Sequence, residues 1–146
     1  MVFVAFEIKM TSKRFNPETD LAPMPFDERI CRRALEMKKS GLKWRPQVGC
    51  FVWDPDEFIK PASPFPGKIY FVLSLVRFIE IFDTIEQIAR KLVWLPTWHQ
   101  ARLVCRQLGI TDEVFEKQRQ RCPISQPVEE LLGIYGLIVE TLKIGA

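Results

Sequence analysis

The spacing of hydrophobic positions changes several times along the chain, and each change predicts a different element. Between Asp27 and Gly41 the apolar side chains recur on one helical face. Asp27 is a good N-cap and Gly41 a good terminator, so a helix is predicted between them. Residues 48–53 and 68–73 are instead rich in β-branched and aromatic side chains. The proline-rich stretch between them predicts a β-hairpin with a long loop.

Helical spacing returns after the hairpin and predicts two helices that meet at Pro96. The first run of apolar positions keeps this spacing until Pro96 ends it. Thr97 followed by Gln100 gives the capping-box pattern of a second helix, which ends at Gly109. Residues 84–109 therefore resemble a helix-turn-helix unit, but the VWLPT connection lacks the usual tight glycine turn. Its Trp and Pro equally indicate a packed corner in a plain hairpin of two core helices.

Two further helices are expected in the C-terminal part. Thr111 can cap a short charged helix over residues 112–121, and Pro127 suits the first turn of a last helix. Apolar side chains surround this last helix on nearly every side, so other elements must cover it on every side. We predict a homodimer contact through residues 127–143. A central position in the core of a single chain would give the same pattern.

Residues 1–26 are expected to form an arm or linker ahead of a single globular domain at 27–146. Residues 2–10 alternate apolar side chains as strands do, whereas residues 11–26 contain three prolines and no period. A chain of this length can bury a core without disulfides. The predicted fold class is α+β: a mostly helical single domain with a β-hairpin packed by helices.

Composition narrows the class of protein only slightly. A net charge of +3 is too small to indicate a polyanionic partner by itself. The four cysteines form no CxxC pair, and nucleotide-binding, GxSxG and HExxH motifs are absent, so we predict no metal and no cofactor. No apolar run is long enough to span a bilayer, and the N-terminal apolar run is too short for a signal peptide. We therefore expect a cytoplasmic protein with no membrane partner.

The side chains best suited to binding lie on the helix after the proline. His99, Arg102 and Arg106 are predicted to share its polar side, while Trp98 faces the core. Two guanidinium groups beside an imidazole suit a carboxylate or a phosphate, and the start of the helix adds amide donors. An ordinary solvated helix face would show the same pattern.

Two tryptophans complete the candidate site. Trp94 precedes the proline, and Trp53 belongs to a group of aromatic residues around the hairpin and its loop. Such a group suits the wall of a pocket, and it equally suits an ordinary core. Asp54, Asp56 and Glu57 carry oxygens that a hard cation prefers, but Asp-Pro-Asp is also typical of a turn, which is the interpretation we adopt.

These features support three hypotheses for function. The first is a non-catalytic binding or interaction protein for a small anionic ligand or a protein partner, with a surface at Trp53, Trp94, His99, Arg102 and Arg106. The second is a DNA-binding regulator that uses the helix-turn-helix-like unit. The third is a small enzyme with His99 as general base, although the sequence indicates no catalytic partner for it.

Overall fold

A computed structural model describes residue 21 and residues 25–145. The predicted strand at 2–10 and nearly all of the predicted arm at 1–26 lie outside these residues. The described chain is a mostly helical α+β domain with six helices and a three-stranded antiparallel sheet, which confirms the predicted fold class. In chain order the elements are α1 (Glu28–Lys39), β1 (Phe51–Trp53), β2 (Ile69–Phe71), α2 (Leu75–Phe82), α3 (Ile85–Lys91), β3 (Val93–Leu95), α4 (Trp98–Gln107), α5 (Asp112–Gln120) and α6 (Pro127–Gly145).

The predicted helix boundaries are confirmed by their caps. The Asp27 carboxylate accepts a hydrogen bond of 3.0 Å from a backbone N–H in the first turn of α1. At the start of α4, the Gln100 N–H donates to the Thr97 hydroxyl at 3.3 Å, and the Thr97 N–H donates to the Gln100 side chain at 3.0 Å. Beyond the ends of α1 and α4, Gly41 and Gly109 adopt φ values of +103° and +77°, a region that glycine enters without strain.

The predicted hairpin is present, and a third strand extends it. β1 is the central strand and pairs antiparallel with both β2 and β3, so that Phe51 lies opposite Phe71 on one side and Leu95 on the other. Strand β3 was not expected, because residues 93–95 continue the apolar run of the preceding helix. Three residues are too few to show a period of two, and their partner strand lies far away in the sequence.

The helix-turn-helix-like arrangement predicted for residues 84–109 is wrong. Helices α3 and α4 are joined through β3, which is bonded into the sheet beside β1. Leu95, at the predicted hinge, is a buried residue of this strand. The connection is therefore an edge strand of the sheet, and no tight turn sets one helix against the other.

The sheet separates two hydrophobic cores. The first core joins α1, α4 and α6 to one sheet face, which contributes Phe51, Ile69, Val93 and Leu95. The second core joins α2 and α3 to the opposite face, which contributes Val52. Phe26, at the end of the predicted surface arm, is instead buried in the first core, 5.2 Å from the ring of Phe51.

Helix α6 packs centrally within the chain, against α1, α4 and α5. Its buried side chains are Val128, Leu131, Ile134, Tyr135, Ile138 and Val139. The helix also carries Gly133 and Gly136, which face the Gln118 and Arg33 side chains of the same chain. The apolar pattern of α6 thus has an explanation within one chain, and the homodimer stays a prediction. Among residue 21 and residues 25–145, no helix combines the length and apolar character needed to cross a membrane.

Candidate functional site

The three polar residues predicted for α4 lie together on its outer side. His99, Arg102 and Arg106 are all exposed, and we call these three residues the α4 ridge. The spacing of three and four residues places neighbouring members about one helical turn apart. The buried side of α4 consists of Ala101, Val104 and Cys105.

Contacts with three other parts of the chain fix the start of α4. The Gln100 side-chain amide donates a hydrogen bond of 3.3 Å to the Gly49 carbonyl beside β1. The hydroxyl of Tyr135, which is fully buried on α6, donates to the Pro96 carbonyl. The Trp98 side chain packs on the first core. These contacts fix the backbone of α4, and with it the spacing of the three ridge residues along the helix.

The ridge keeps positive charge that no ion pair within the described chain neutralises. The Arg102 guanidinium lies 5.0 Å from the ring centroid of Phe115 on α5, which is a cation–π geometry. His99 and Arg106 make no ion pair and no side-chain hydrogen bond with residue 21 or residues 25–145.

Glu116, a carboxylate that is influenced by the charge of Arg102, already has its own partner. Glu116 forms an ion pair of 2.5 Å with Arg119. That hydrogen bond is the main reason why the pKa of Glu116 lies below its usual value, and the charge of Arg102 lowers it slightly further. Arg102 therefore adds positive potential beside a carboxylate that another arginine binds.

The two predicted tryptophans do not join the ridge in one site. In the sheet Trp94 lies opposite Val52, whereas Trp53 lies opposite Val93. Because side chains alternate between faces along a strand, Trp53 and Trp94 point to opposite faces of the sheet. The five predicted residues therefore do not share one face, and only the three residues of the α4 ridge lie together on one helix.

Trp94 is held by packing. Its ring stacks on Trp44 with the centroids 5.7 Å apart and the planes 11° apart. The indole N–H groups of Trp44, Trp94 and Trp98 are buried, and none has an acceptor in the described part of the chain. An unpaired buried donor costs about 1–3 kcal/mol. Any net stabilisation of the fold by these tryptophans therefore comes from the apolar contact area of their rings.

Two cavities of the described chain are lined by residues outside the α4 ridge. One of about 260 Å³ opens beside the hairpin loop and is lined in part by Asp54, Lys60 and Tyr70. Another of about 400 Å³ lies between α1, α5 and α6, with Gly133 and Gly136 among its lining residues. No ridge residue lines either cavity. His99 is thus an exposed side chain that lines neither of these two cavities.

Asp54 organises the hairpin loop, as the turn interpretation expects. Its side chain is 1% exposed and accepts backbone hydrogen bonds of 3.1 Å from Phe58 and 2.8 Å from Ile59. Asp56 and Glu57 are exposed. In the part of the chain that the structure describes, no group of three or more histidine, cysteine, aspartate or glutamate residues could hold a metal ion.

The four cysteines are free thiols, and burial favours their protonated form. Burial raises the pKa of Cys31 to about 12 and that of Cys105 to about 11. Burial also raises the pKa of Cys50 and Cys122. The thiolate is the reactive form of cysteine, so these shifts keep the four side chains protonated at neutral pH.

Two contributors to the site were missed in the sequence. Phe115 supports Arg102 from the next helix, and Tyr135 holds the start of α4 from the last one. Both contacts join residues that are far apart in the chain. No local pattern of spacing indicates them, although a tyrosine inside an apolar helix does suggest a buried hydroxyl that needs a partner.

Comparison of the chain with known protein families, with curated protein sequences and with solved structures finds no match. The proposed function therefore rests on the geometry of the chain itself.

Proposed function

We propose that this protein is a non-catalytic binding protein that recognises acidic groups of a partner through the α4 ridge. The proposal rests on the arrangement of the three ridge residues. His99, Arg102 and Arg106 lie side by side and exposed on a helix whose start is fixed by buried contacts. Neither arginine forms an ion pair within residue 21 and residues 25–145, so both guanidinium groups are available to a partner.

The chemistry of the ridge favours carboxylates presented by a protein segment. Each guanidinium can donate two parallel hydrogen bonds to a carboxylate, and the imidazole adds a further donor or acceptor. All three ridge residues are exposed, and none lines either of the two cavities described above, so the ridge suits a partner that lies across an open surface. An acidic peptide segment laid along α4 fits this surface.

The experiment uses a fluorescein-labelled peptide of ten glutamates at low ionic strength, with fluorescence anisotropy as the measurement. The double variant Arg102→Ala/Arg106→Ala is compared with Arg77→Ala/Arg90→Ala, which removes two exposed arginines from α2 and α3. Hydrogen bonds to charged groups contribute about 1.5–3 kcal/mol each, so the ridge variant should bind at least roughly tenfold more weakly. The control should bind as the unaltered chain does.

Equal losses in both double variants would mean non-specific attraction to positive charge, and no loss in the ridge variant would reject the proposal. A DNA duplex titrated in parallel addresses the DNA-binding hypothesis. Retardation of that duplex in a gel-shift assay, falling steeply with added salt, would favour a DNA-binding regulator. No observation favours that alternative now, because the helix-turn-helix-like unit on which it rested does not form.

Two finer assignments complete the proposal: a homodimer through α6 and a cytoplasmic location. For the homodimer, Leu132 and Leu137 of α6 remain partly exposed. For the location, four free cysteines suit a reducing compartment. Light scattering that gives twice the chain mass of 17.1 kDa would support the homodimer, and a mass of one chain would reject it.

A further inference from the structure

An exposed apolar surface lies at the outer edge of the sheet, next to strand β2. Phe71 is 37% exposed, Leu73 is 75% exposed and Val48 is 62% exposed. The Gly49 N–H donates to the Val72 carbonyl, which places Val48 beside Leu73. We call Val48, Phe71 and Leu73 the β2 rim. Contiguous apolar surface of this kind marks a place where something docks.

Phe26, near the start of the continuous stretch 25–145, lies close to this rim. Phe26 lies 5.2 Å from Phe51, and Phe51 lies 4.9 Å from Phe71, measured between ring centroids. Phe26 is buried, so the chain is anchored at this point. Phe26 is therefore connected to Phe71 of the rim through one intervening ring, that of Phe51.

The segment ahead of Phe26 has the composition that the rim needs. Residues 2–6 are uncharged and consist of Val, Phe, Val, Ala and Phe, and Ile8 follows. From Phe6 to Phe26 the chain has ample reach, since an extended chain spans about 3.3 Å per residue. A segment tethered this closely has an effective concentration in the millimolar range, which favours it over a separate molecule.

We propose that the segment Val2–Ile8 of the same chain, which is apolar except for Glu7, docks on the β2 rim and covers Phe71 and Leu73. The docking acts through side chains more than through strand pairing. Two carbonyls on the open side of β2 are already engaged, because the Ser63 hydroxyl donates to Ile69 and the Leu73 N–H donates to Phe71. Covering the rim leaves the α4 ridge as the surface for other molecules.

Photocrosslinking of the full chain tests this proposal without removing any element of the fold. The photoreactive residue benzoylphenylalanine replaces Phe6 in one variant and Val114, an exposed residue of α5, in a matched control. Equal amounts of ¹⁴N and ¹⁵N chains are mixed before irradiation, so that peptide masses separate links within one chain from links between chains.

The expected result is a link within one chain from position 6 to the tryptic peptides that contain Val48 or residues 71–76, and no such link from position 114. Links from position 6 to other parts of the chain, or no link above the level of the control, would overturn the proposal. Links to the rim that join ¹⁴N to ¹⁵N chains would also overturn it, because a second copy would then be the occupant.

Discussion

The guanidinium group of Arg102 on α4 lies 5.0 Å from the ring centroid of Phe115 on α5. This contact joins the middle of the α4 ridge to the neighbouring helix. A cation above an aromatic face keeps its charge and most of its hydrogen-bond donors, so Arg102 is oriented without being neutralised. The ridge can therefore be both ordered and available to an acidic partner.

Replacing Phe115 by leucine should weaken binding at the ridge while leaving the fold intact. Leucine keeps apolar volume but has no aromatic face, and the lost interaction is about 0.5–1 kcal/mol. The glutamate peptide should then bind about two- to fivefold more weakly in the anisotropy titration. Val114→Ala, next to it on α5, is the control and should not change the affinity. Unchanged affinity in Phe115→Leu would show that Arg102 needs no support from α5.

Tyr135→Phe should destabilise the protein, because it leaves the buried Pro96 carbonyl without its donor. An unsatisfied buried acceptor costs about 1–3 kcal/mol, which urea unfolding can measure. Tyr70→Phe is the matched control, since the Tyr70 hydroxyl donates to the Pro61 carbonyl at 2.8 Å in an exposed position. That control should lose less than about 1 kcal/mol. Equal losses in the two variants would contradict the special role of Tyr135.

Asp54→Ala should open the hairpin loop and destabilise the sheet. The Asp54 side chain is almost fully buried and accepts two backbone hydrogen bonds. Removing a charged acceptor that serves two N–H groups should cost at least about 2 kcal/mol of unfolding free energy. Asp56→Ala, at an exposed position in the same loop, should cost less than about 0.5 kcal/mol. A small loss in Asp54→Ala would mean that the loop holds its shape by other contacts.

Stability should fall as the pH rises above 9, and Cys31 should carry part of the loss. In the unfolded chain the thiol ionises near the ordinary cysteine pKa of 9.0, whereas burial raises the pKa to about 12 in the folded chain. Between these values the folded state holds the proton and the unfolded state releases it, so rising pH favours unfolding. The slope per group is at most about 1.4 kcal/mol per pH unit.

The measurement is urea unfolding with a reducing agent at a series of pH values from 8 upward. Cys31→Ala should flatten the pH dependence, although it lowers stability overall by leaving a small cavity. Cys122→Ala is the control, because Cys122 is less buried than Cys31 and should leave the pH dependence close to that of the unaltered chain. A pH dependence that Cys31→Ala leaves unchanged would place the alkaline loss on other groups.

Local signals account for what the sequence predicted correctly. The caps at Asp27 and Thr97 lie within three residues of the groups they bind. The outward position of the α4 ridge follows from helical spacing alone. For such features the chemistry and the geometry are both contained in a short stretch of chain.

What the sequence did not show depends on contacts between distant residues. Strand β3 exists because residues 93–95 pair with β1, and this pairing also turns Trp94 to the face opposite Trp53. The support of Arg102 by Phe115 depends on how α5 packs beside α4. The spacing of residues within one element does not indicate which other element packs against it.

The most direct test of the central claim is a chemical-shift map of the ¹⁵N-labelled full chain titrated with the glutamate peptide. If the α4 ridge binds acidic segments, the largest amide shifts cluster on α4 between residues 99 and 106 and at Phe115, and Arg102→Ala/Arg106→Ala strongly reduces them. Shifts that cluster at the hairpin loop or between α1 and α6, with α4 unaffected, would contradict that claim.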